Sequence, residues 1–395
     1  MKLAIDGGTP VRTTTLPYSR QWITEDDCEA VTRVLRSDWL TTGPMIDEFE
    51  RTFADFTGAK HAVAVSNGTA ALHAAMYAIN IGPGDEVIVP TMTFAATANG
   101  VLFCGGTPVF CDCDTDTLLI DPTAVEAAIT KNTKAICAVD YAGQPCDYDA
   151  LRKIADERHL LLIADACHAL GGCYRHRSVG FLADLSTFSF HPVKPMTTGE
   201  GGMITTDNKE FANRMRQFRN HCMTSSHRER HEQGSWEYEI RGLGWNYRLT
   251  DFQAALGLSQ LKKIPRATHK RRQIAERYDT AFASLVGILP LKVCSEIAHA
   301  YHLYVIRIDA NNLSVGRAEF FRALTAEGIG VNVHYIPVHL HPFYREHLKT
   351  KKGMYPNAES AYERILSLPI FAGMSEEDVN DVIAAVTKVW KAYKR

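Results

Sequence analysis

The chain has 395 residues, enough to bury a sizeable core. We predict two domains, at residues 1–264 and 265–395. Charged residues make up 22% and apolar residues 46%, and the formal net charge of −2 argues against a nucleic-acid or acidic-membrane partner. No apolar run has the length of a membrane span, and residues 1–11 lack a long apolar core. We therefore expect a cytoplasmic protein.

The cysteines and histidines show no metal-binding pattern. The ten cysteines are scattered without a CxxC pair, and Cys111 and Cys113 form only a CxC. The sixteen histidines contain no HExxH spacing. We therefore expect free thiols in a reducing compartment and no metal site.

Short apolar runs alternate with helical stretches along the first half of the chain. Parallel strands need crossover connections, so this alternation predicts an α/β fold with a mostly parallel central sheet flanked by helices. Ligands of such folds bind beyond the carboxyl ends of the strands. The predicted strands are residues 61–65, 86–90, 109–111, 135–140 and 160–164, and a short strand led by Ile204. The predicted helices are residues 25–35, 45–56, a helix from Thr69, and residues 123–128, 148–158 and 209–219.

The second half of the chain predicts a smaller α+β domain. A helix over residues 251–263 is preceded by Thr250, which forms a capping box with Gln253, and a basic helix over residues 269–285 leads into the small domain. The polar residues 221–236 predict a mobile surface loop, and the aromatic, His-rich residues 334–344 predict a loop that closes over a substrate. The predicted elements of the small domain are strands at residues 301–308 and 331–335 and helices at residues 317–327 and 376–393.

Lys194 is the only charged side chain between Phe188 and Met196. Pro192 and Pro195 flank it and restrict the local backbone. Burial among apolar neighbours lowers the pKa of a lysine, and the neutral amine is a nucleophile for an aldehyde. The alternative is an ordinary lysine on a surface loop, which is the common case for this residue.

Three other segments carry groups that complement such a lysine. The helix predicted from Thr69 follows a strand and a small-residue turn, and the N–H groups and dipole of a helix start form a phosphate cradle. Phe94 follows a strand, where it either stacks on a flat ligand or packs in the core. Asp165 also ends an apolar strand, where it either caps a helix or pairs with a protonated ring nitrogen. Together with Lys194, these are the parts that hold pyridoxal 5′-phosphate.

This ordered combination resembles the DegT/DnrJ/EryC1/StrS family of sugar-nucleotide aminotransferases over nearly the whole chain, from Gly7 to the last helix. The resemblance implies the type I aspartate-aminotransferase fold and a pyridoxal 5′-phosphate cofactor that passes through its pyridoxamine 5′-phosphate form. It implies that Lys194, in Ser-Phe-His-Pro-Val-Lys, is the Schiff-base lysine and that Asp165 pairs with the pyridine nitrogen. Some relatives carry histidine in place of the lysine and perform dehydration, so Lys194 favours transamination.

The resemblance also implies roles for the residues around the cofactor. His168 lies near the 3-hydroxyl group, and Phe94 stacks on the ring face. Asn246 reaches the phosphate of the neighbouring subunit, so each active site requires a homodimer. The residues implied to hold the phosphate are Gly68, Thr69, Ala70 and Ser189.

Three further motifs, at residues 138–145, 165–171 and 257–263, look most like the branch that makes the pseudaminic acid precursor. That branch aminates UDP-4-keto-6-deoxy-N-acetyl-β-L-altrosamine at C4, with L-glutamate as donor and 2-oxoglutarate as product. Cationic partners are needed for the UDP group, and other side chains must face the sugar. The candidates for these contacts are Arg219 and Arg248 for UDP and His334 and Tyr335 for the sugar.

Two alternatives remain open at this point. The first is an aminotransferase for another nucleotide keto sugar, which acts at C3 or on a dTDP or GDP carrier. The second is a non-catalytic sensor that binds the cofactor or a sugar nucleotide. The retained Lys194 and Asp165 and the absence of a basic DNA-reading segment in the sequence argue against the sensor.

Overall fold

The computed structural model describes residues 2–225, 228, 230 and 234–395, so part of the predicted loop at residues 221–236 lies outside it. All ten cysteines belong to this described part and are free thiols. No cluster of three or more His, Cys, Asp or Glu side chains among these residues is placed to hold a metal ion. Within the same ranges, every helix is too short or too polar to cross a membrane.

A seven-stranded sheet forms the centre of the molecule, as the alternating pattern predicts. Its strand order is β1-β9-β8-β5-β4-β2-β3, and only β9 runs antiparallel to its neighbours. The strands in the first half of the chain are β1 (His61–Val65), β2 (Glu86–Pro90), β3 (Thr107–Cys111), β4 (Thr133–Val139), β5 (Leu161–Asp165), β6 (Cys173–Tyr174), β7 (Arg177–Ser178), β8 (Leu185–Ser189) and β9 (Gly202–Thr206).

Helices cover both faces of this sheet, which explains why its strands are apolar almost throughout. Successive residues of β1 show the two faces: Ala62 and Ala64 pack in one hydrophobic cluster, and Val63 and Val65 pack in the other. The helices of this part are α1 (Glu25–Leu35), α2 (Pro44–Thr57), α3 (Gly68–Ala78), α4 (Ala95–Phe103), α5 (Pro122–Ala128), α6 (Tyr148–Glu157), α7 (Lys209–Phe218), α8 (Asp251–Leu261) and α9 (Ile264–Phe282).

The C-terminal part contains a small antiparallel sheet with strand order β10-β12-β13, and helices pack against it in a third hydrophobic cluster. Leu3 and Leu16 of the N-terminal segment belong to the same cluster. The division at residues 264 and 265 stays a prediction. The elements of this part are β10 (Ile288–Pro290), β11 (Ile297–Ala298), β12 (Tyr304–Ile308), α10 (Arg317–Ala326), α11 (Pro342–His347), α12 (Pro356–Tyr362), β13 (Ile365–Leu368) and α13 (Glu376–Tyr393).

Most predicted elements are confirmed to within two residues, but three predictions for the C-terminal part are wrong. Residues 331–335 form no strand: only Asn332 makes a bridge, to Ser367, after which the chain turns toward the large sheet. The long basic helix begins at Ile264 instead of residue 269, and Pro265 lies in its first turn, where proline is tolerated. The predicted loop at residues 334–344 includes the start of α11.

Candidate active site

A cavity of about 780 Å³ opens at the carboxyl ends of the parallel strands and brings most of the predicted site residues together. These residues come from the start of α3, the segment after β2, the end of β5 and the turn after it, the end of β8 and the loop after it, and the segment after residue 331. The predicted residues that line this cavity are Gly68, Thr69, Ala70, Phe94, Asp165, His168, Ser189, Lys194, His334 and Tyr335.

The start of α3 has the geometry of an anion cradle. Asn67 is its N-cap residue, and its Oδ1 accepts a hydrogen bond of 2.8 Å from the backbone N–H of Ala70. A Cβ atom at Gly68 would lie only 2.8 Å from Cβ of Ser189, so glycine is required for the helix start to approach β8. The Ser189 hydroxyl therefore lies beside the first N–H groups of the helix, where a phosphate binds favourably.

Asp165 ends β5 and is buried at the floor of the cavity. Its Oδ2 accepts a hydrogen bond of 2.7 Å from the Thr97 hydroxyl, and its Oδ1 accepts one of 3.3 Å from the Cys167 N–H. Turns follow Asp165 where the alternative interpretation expects a helix. The carboxylate is thus oriented by two donors and faces the cavity, as required for pairing with a ring N–H.

The Lys194 side chain is half-buried and reaches the same cavity from the loop after β8. Its Nζ makes no hydrogen bond or ion pair with any residue that the structure describes, whereas its backbone N–H donates to the His191 carbonyl at 2.9 Å. Burial lowers the pKa of Lys194, although Cys167 and Asp165 act in the opposite direction. The structure therefore presents a partly desolvated amine without a protein partner.

His168 is buried between Tyr335 and His302. Its Nε2 lies 3.0 Å from the Tyr335 hydroxyl, and its ring centroid lies 4.3 Å from that of His302. Burial, with Lys194 and His334 adding to it, lowers the pKa of His168 well below its usual value, so the imidazole is neutral. The Nδ1 atom is buried and has no partner in the described part of the chain.

Phe94 and His334 complete the walls. Phe94 is 60% exposed, which excludes core packing, and its ring centroid lies 5.9 Å from that of Tyr335. His334 is buried, and its Nδ1 lies 2.8 Å from the Ser367 hydroxyl. Burial, followed by the effect of Lys194, lowers the pKa of His334 to about 4.

Three predicted residues lie outside the Lys194 cavity of their own chain. Arg219 forms an ion pair with Glu50. Arg248 donates to the Asn220 side chain at 2.8 Å. Both arginines line a separate cavity of about 330 Å³. Asn246 is exposed and lines neither of these two cavities.

Sequence reasoning missed three residues that shape the site. The role of Asn67 as an N-cap residue could have been predicted, because Asn followed by Gly-Thr after a strand is an N-cap pattern. Thr97 and His302 carried no local signal, since their roles depend on contacts with Asp165 and His168 that are distant in sequence.

These groups fit pyridoxal 5′-phosphate. Lys194 Nζ has no protein partner, and neither does the buried His168 Nδ1 within the described residues. The glycine-lined helix start matches a phosphate, and the exposed Phe94 ring matches a flat heterocycle. Fold and site together define a pyridoxal-phosphate enzyme of the aminotransferase type.

Comparison with known proteins confirms this class. The chain belongs to the DegT/DnrJ/EryC1/StrS aminotransferase family, which matches residues 21–387. SpsC, a spore coat polysaccharide biosynthesis protein of Bacillus subtilis strain 168, is 45% identical over 378 residues, which cover 95% of this chain and 97% of SpsC.

Solved structures agree with the sequence comparison. Spr1654 of Streptococcus pneumoniae, named as a sugar aminotransferase, has a TM-score of 0.90 and 34% identity in its PMP form, covering 95% of this chain and 99% of that one. A PLP form is also known. PseC of Helicobacter pylori, an aminotransferase of pseudoaminic acid biosynthesis, has a TM-score of 0.89 and 34% identity, covering 96% of this chain and 100% of that one. The predicted family, fold and cofactor are confirmed, and the protein is a PLP-dependent sugar aminotransferase.

Proposed function

We propose that this enzyme transfers the amino group of L-glutamate to C4 of a UDP-4-keto-6-deoxy-N-acetylhexosamine. The proposed product is UDP-4-amino-4,6-dideoxy-N-acetyl-β-L-altrosamine, a precursor of pseudaminic acid. The observation that carries the transamination is the Lys194 amine, which has no protein partner in the described structure and shares one cavity with Asp165. The similarity to PseC over nearly the whole chain supports the choice of sugar.

In this proposal the bound cofactor supplies an aldehyde carbon and an electron-withdrawing ring. Lys194 Nζ takes a proton from the α-carbon of glutamate and returns one at the sugar carbon, a role worth about 10²- to 10⁴-fold in rate. The Asp165 carboxylate holds the proton on the ring nitrogen, with its orientation fixed by Thr97. The backbone of Gly68 and the Ser189 hydroxyl anchor the phosphate.

We further propose a homodimer in which Asn246 completes the phosphate site of the partner subunit. The exposure of Asn246, outside the cavity of its own chain, supports this role. Large exposed apolar side chains flank it, as expected for a surface that a second subunit covers. These side chains are Trp236, Tyr238, Ile240, Leu243 and Trp245.

Arg248 is the better candidate of the two arginines for the UDP diphosphate. Arg219 is occupied by Glu50 and by the carbonyl of Ala64, whereas no carboxylate pairs with Arg248 in the described residues. Burial and the neighbouring Arg219 lower the pKa of Arg248, so an anion there would relieve charge repulsion. In the proposed dimer Arg248, two residues after Asn246, also reaches the active site of the partner subunit. His334 and Tyr335 face the sugar.

A second candidate substrate is a keto sugar on a TDP carrier. The structure of DesI determined with its TDP-sugar product has a TM-score of 0.88 and 32% identity to this chain. A panel of UDP and TDP keto sugars of both C5 configurations, with the position of the new amine determined by NMR, distinguishes the candidates. Selective amination of a TDP sugar, or amination at C3, would contradict the altrosamine assignment.

The half-reaction with glutamate tests the transamination itself. We expect the absorption band of the bound cofactor to bleach on addition of glutamate, with one equivalent of 2-oxoglutarate released per site. Lys194→Ala should abolish this change, whereas Lys131→Ala, at an exposed site at the other end of β4, should not. If the absorption band of the cofactor persists with every amino donor, the protein does not catalyse transamination, and a non-catalytic sensor is favoured.

A further inference from the structure

The hydroxyl group of Tyr335 has a single hydrogen-bond partner in the described structure. That partner is His168 Nε2, at 3.0 Å. Burial raises the pKa of Tyr335 well above its usual value, so the phenol keeps its proton. The protonated phenol can donate to His168 Nε2, and no other acceptor for its proton lies among the described residues.

A donation from Tyr335 to Nε2 would fix the tautomer of His168. A neutral imidazole has one N–H donor and one bare nitrogen acceptor, and the partner of one nitrogen decides where the proton lies. With Nε2 accepting from Tyr335, the proton lies on Nδ1. That nitrogen is buried and has no partner in the described part of the chain, so an N–H there has no protein acceptor within the described residues.

The surroundings keep the His168 ring neutral and hold its orientation. His302 packs against it with ring planes inclined by 49°, and is itself neutral because burial lowers its pKa well below the usual value. Asp165, Cys167, Lys194 and His334 line the same cavity as His168, and Lys194 and His334 disfavour an imidazolium. Tyr335 thus contacts a neutral imidazole, and the direction of its hydrogen bond to Nε2 decides which ring nitrogen carries the proton.

We propose that Tyr335 is a positioning residue that holds His168 as its Nδ1–H tautomer, so that this N–H donates to the 3-oxygen of the bound cofactor. The inference rests on the cofactor placement proposed above and adds a second role for Tyr335 besides facing the sugar. A donor at the 3-oxygen stabilises its anionic form and lowers the pH at which the cofactor's absorption band titrates.

The tautomer is measurable without cofactor or turnover. In ¹⁵N-histidine-labelled, cofactor-free protein, two-bond ¹H–¹⁵N correlations distinguish the tautomers, and the His168→Gln variant identifies the signals of His168. We expect Nδ1–H in the natural protein and a shift toward Nε2–H in Tyr335→Phe. The control is Tyr344→Phe, at another tyrosine nine residues after Tyr335. It removes a 2.6 Å hydrogen bond from the Tyr344 hydroxyl to Asn99 and should leave the His168 signals unchanged. Nε2–H in the natural protein, or an unchanged tautomer in Tyr335→Phe, overturns the proposal.

A pH titration of the absorption band tests the link to the cofactor. Tyr335→Phe should raise the pH midpoint of the cofactor's absorption band. The same change should raise this midpoint far less in a His168→Gln background, because the glutamine amide donates its N–H whether or not Tyr335 is present. An equal shift in both backgrounds overturns the proposal. These outcomes are separate from the proposed function: failure of the glutamate half-reaction with the expected tautomer would reject the transamination alone.

Discussion

Asp140 is a buried carboxyl group at the end of β4, one strand away from Asp165. Its Oδ1 accepts hydrogen bonds from the Cys146 N–H at 3.0 Å and the Tyr148 hydroxyl at 2.9 Å, but its Oδ2 is buried without a partner in the described residues. Burial raises the pKa of Asp140 to about 7 despite these bonds, and the Asp165 charge adds to the effect. The folded protein therefore retains this proton at pH values where the unfolded chain has lost it.

We predict that Asp140→Asn stabilises the protein above neutral pH. Because the folded-state pKa lies above the ordinary value of 3.8, the contribution of Asp140 to stability falls between about pH 4 and pH 7. The full cost, up to about 4 kcal/mol, is present above that range and absent below it. Urea unfolding should show the variant more stable than the natural protein at pH 8 and equal to it at pH 4.

The exposed Asp55→Asn serves as the matched control for Asp140→Asn, since it removes a carboxylate without changing a buried group. It should leave the pH dependence of stability unchanged. If the difference in unfolding free energy between Asp140→Asn and the natural protein is the same at pH 4 and pH 8, Asp140 does not carry a raised pKa.

Some residues of the active site were predictable because their neighbours in the sequence restrict the roles that they can have. Lys194 lies between prolines in an apolar stretch and Asp165 ends a strand, so the sequence marks both as candidates, and their combination with the predicted helix start at Thr69 indicates their roles. The roles of Thr97 and His302 are set by packing against Asp165 and His168, from segments far away in the chain. A single sequence contains no signal for such a pairing.

Glu50 ties α2 to the edge strand β1 and to the end of α7. Its Oε1 accepts a hydrogen bond of 3.0 Å from the Ala64 N–H and pairs with Arg219, while Oε2 lies 3.4 Å from Arg216. Arg216 also donates to the Ala62 carbonyl at 3.1 Å. Since β1 leads directly into the turn before α3, this buried cluster holds the strand that carries the phosphate cradle.

We predict that Glu50→Gln lowers the free energy of unfolding by about 2 to 3 kcal/mol. Removing one partner of a buried ion pair typically costs about 3 to 5 kcal/mol, and the loss is smaller here because the Arg216 side chain is 35% exposed. Urea unfolding at neutral pH measures the change. Glu48→Gln, on the exposed side of the same helix, should change stability by less than about 0.5 kcal/mol. Equal effects of the two variants would contradict the structural role of Glu50.

Most strands and helices of the large sheet were predictable because their burial follows from their apolar residues, but β8 (Leu-Ser-Thr-Phe-Ser) was not predicted. A short apolar run such as β2 or β5, in a chain where such runs alternate with helices, is typical of a strand buried on both faces. Residues 331–335 alternate apolar and polar side chains and so have the pattern of a strand, yet only Asn332 pairs. The contacts of His334 with Ser367 and of Tyr335 with His168 determine the course of this segment, and neither contact is local.

The whole molecule gathers the site from segments spread between residue 18 and residue 335, and the proposed dimer adds Asn246 of a second subunit. In such a dimer Lys194 and Asn246 of one chain serve different active sites. Variants of the two residues should therefore complement each other in a mixed dimer.

We predict that co-expressed Lys194→Ala and Asn246→Asp subunits recover activity that neither variant has alone. Half of the randomly formed dimers are mixed, and one of their two sites is intact, so activity should reach about a quarter of the natural value. Pairing Lys194→Ala with Asp165→Asn should give no recovery, since both changes affect the site of their own chain. Activity equal to the mean of the two homodimers would show that Asn246 acts within its own subunit.

The position of β1 at the edge of the sheet has a consequence for how the chain folds. Its partner in the sheet is β9, which the ribosome produces only after every other strand of that sheet. Until residues 202–206 emerge, β1 has no neighbour for its backbone groups, and the turn that it positions has no fixed shape. The large sheet can therefore be complete only after residues 202–206 have been synthesised. The helix start that β1 positions can therefore take its final place only once β9 has paired with β1.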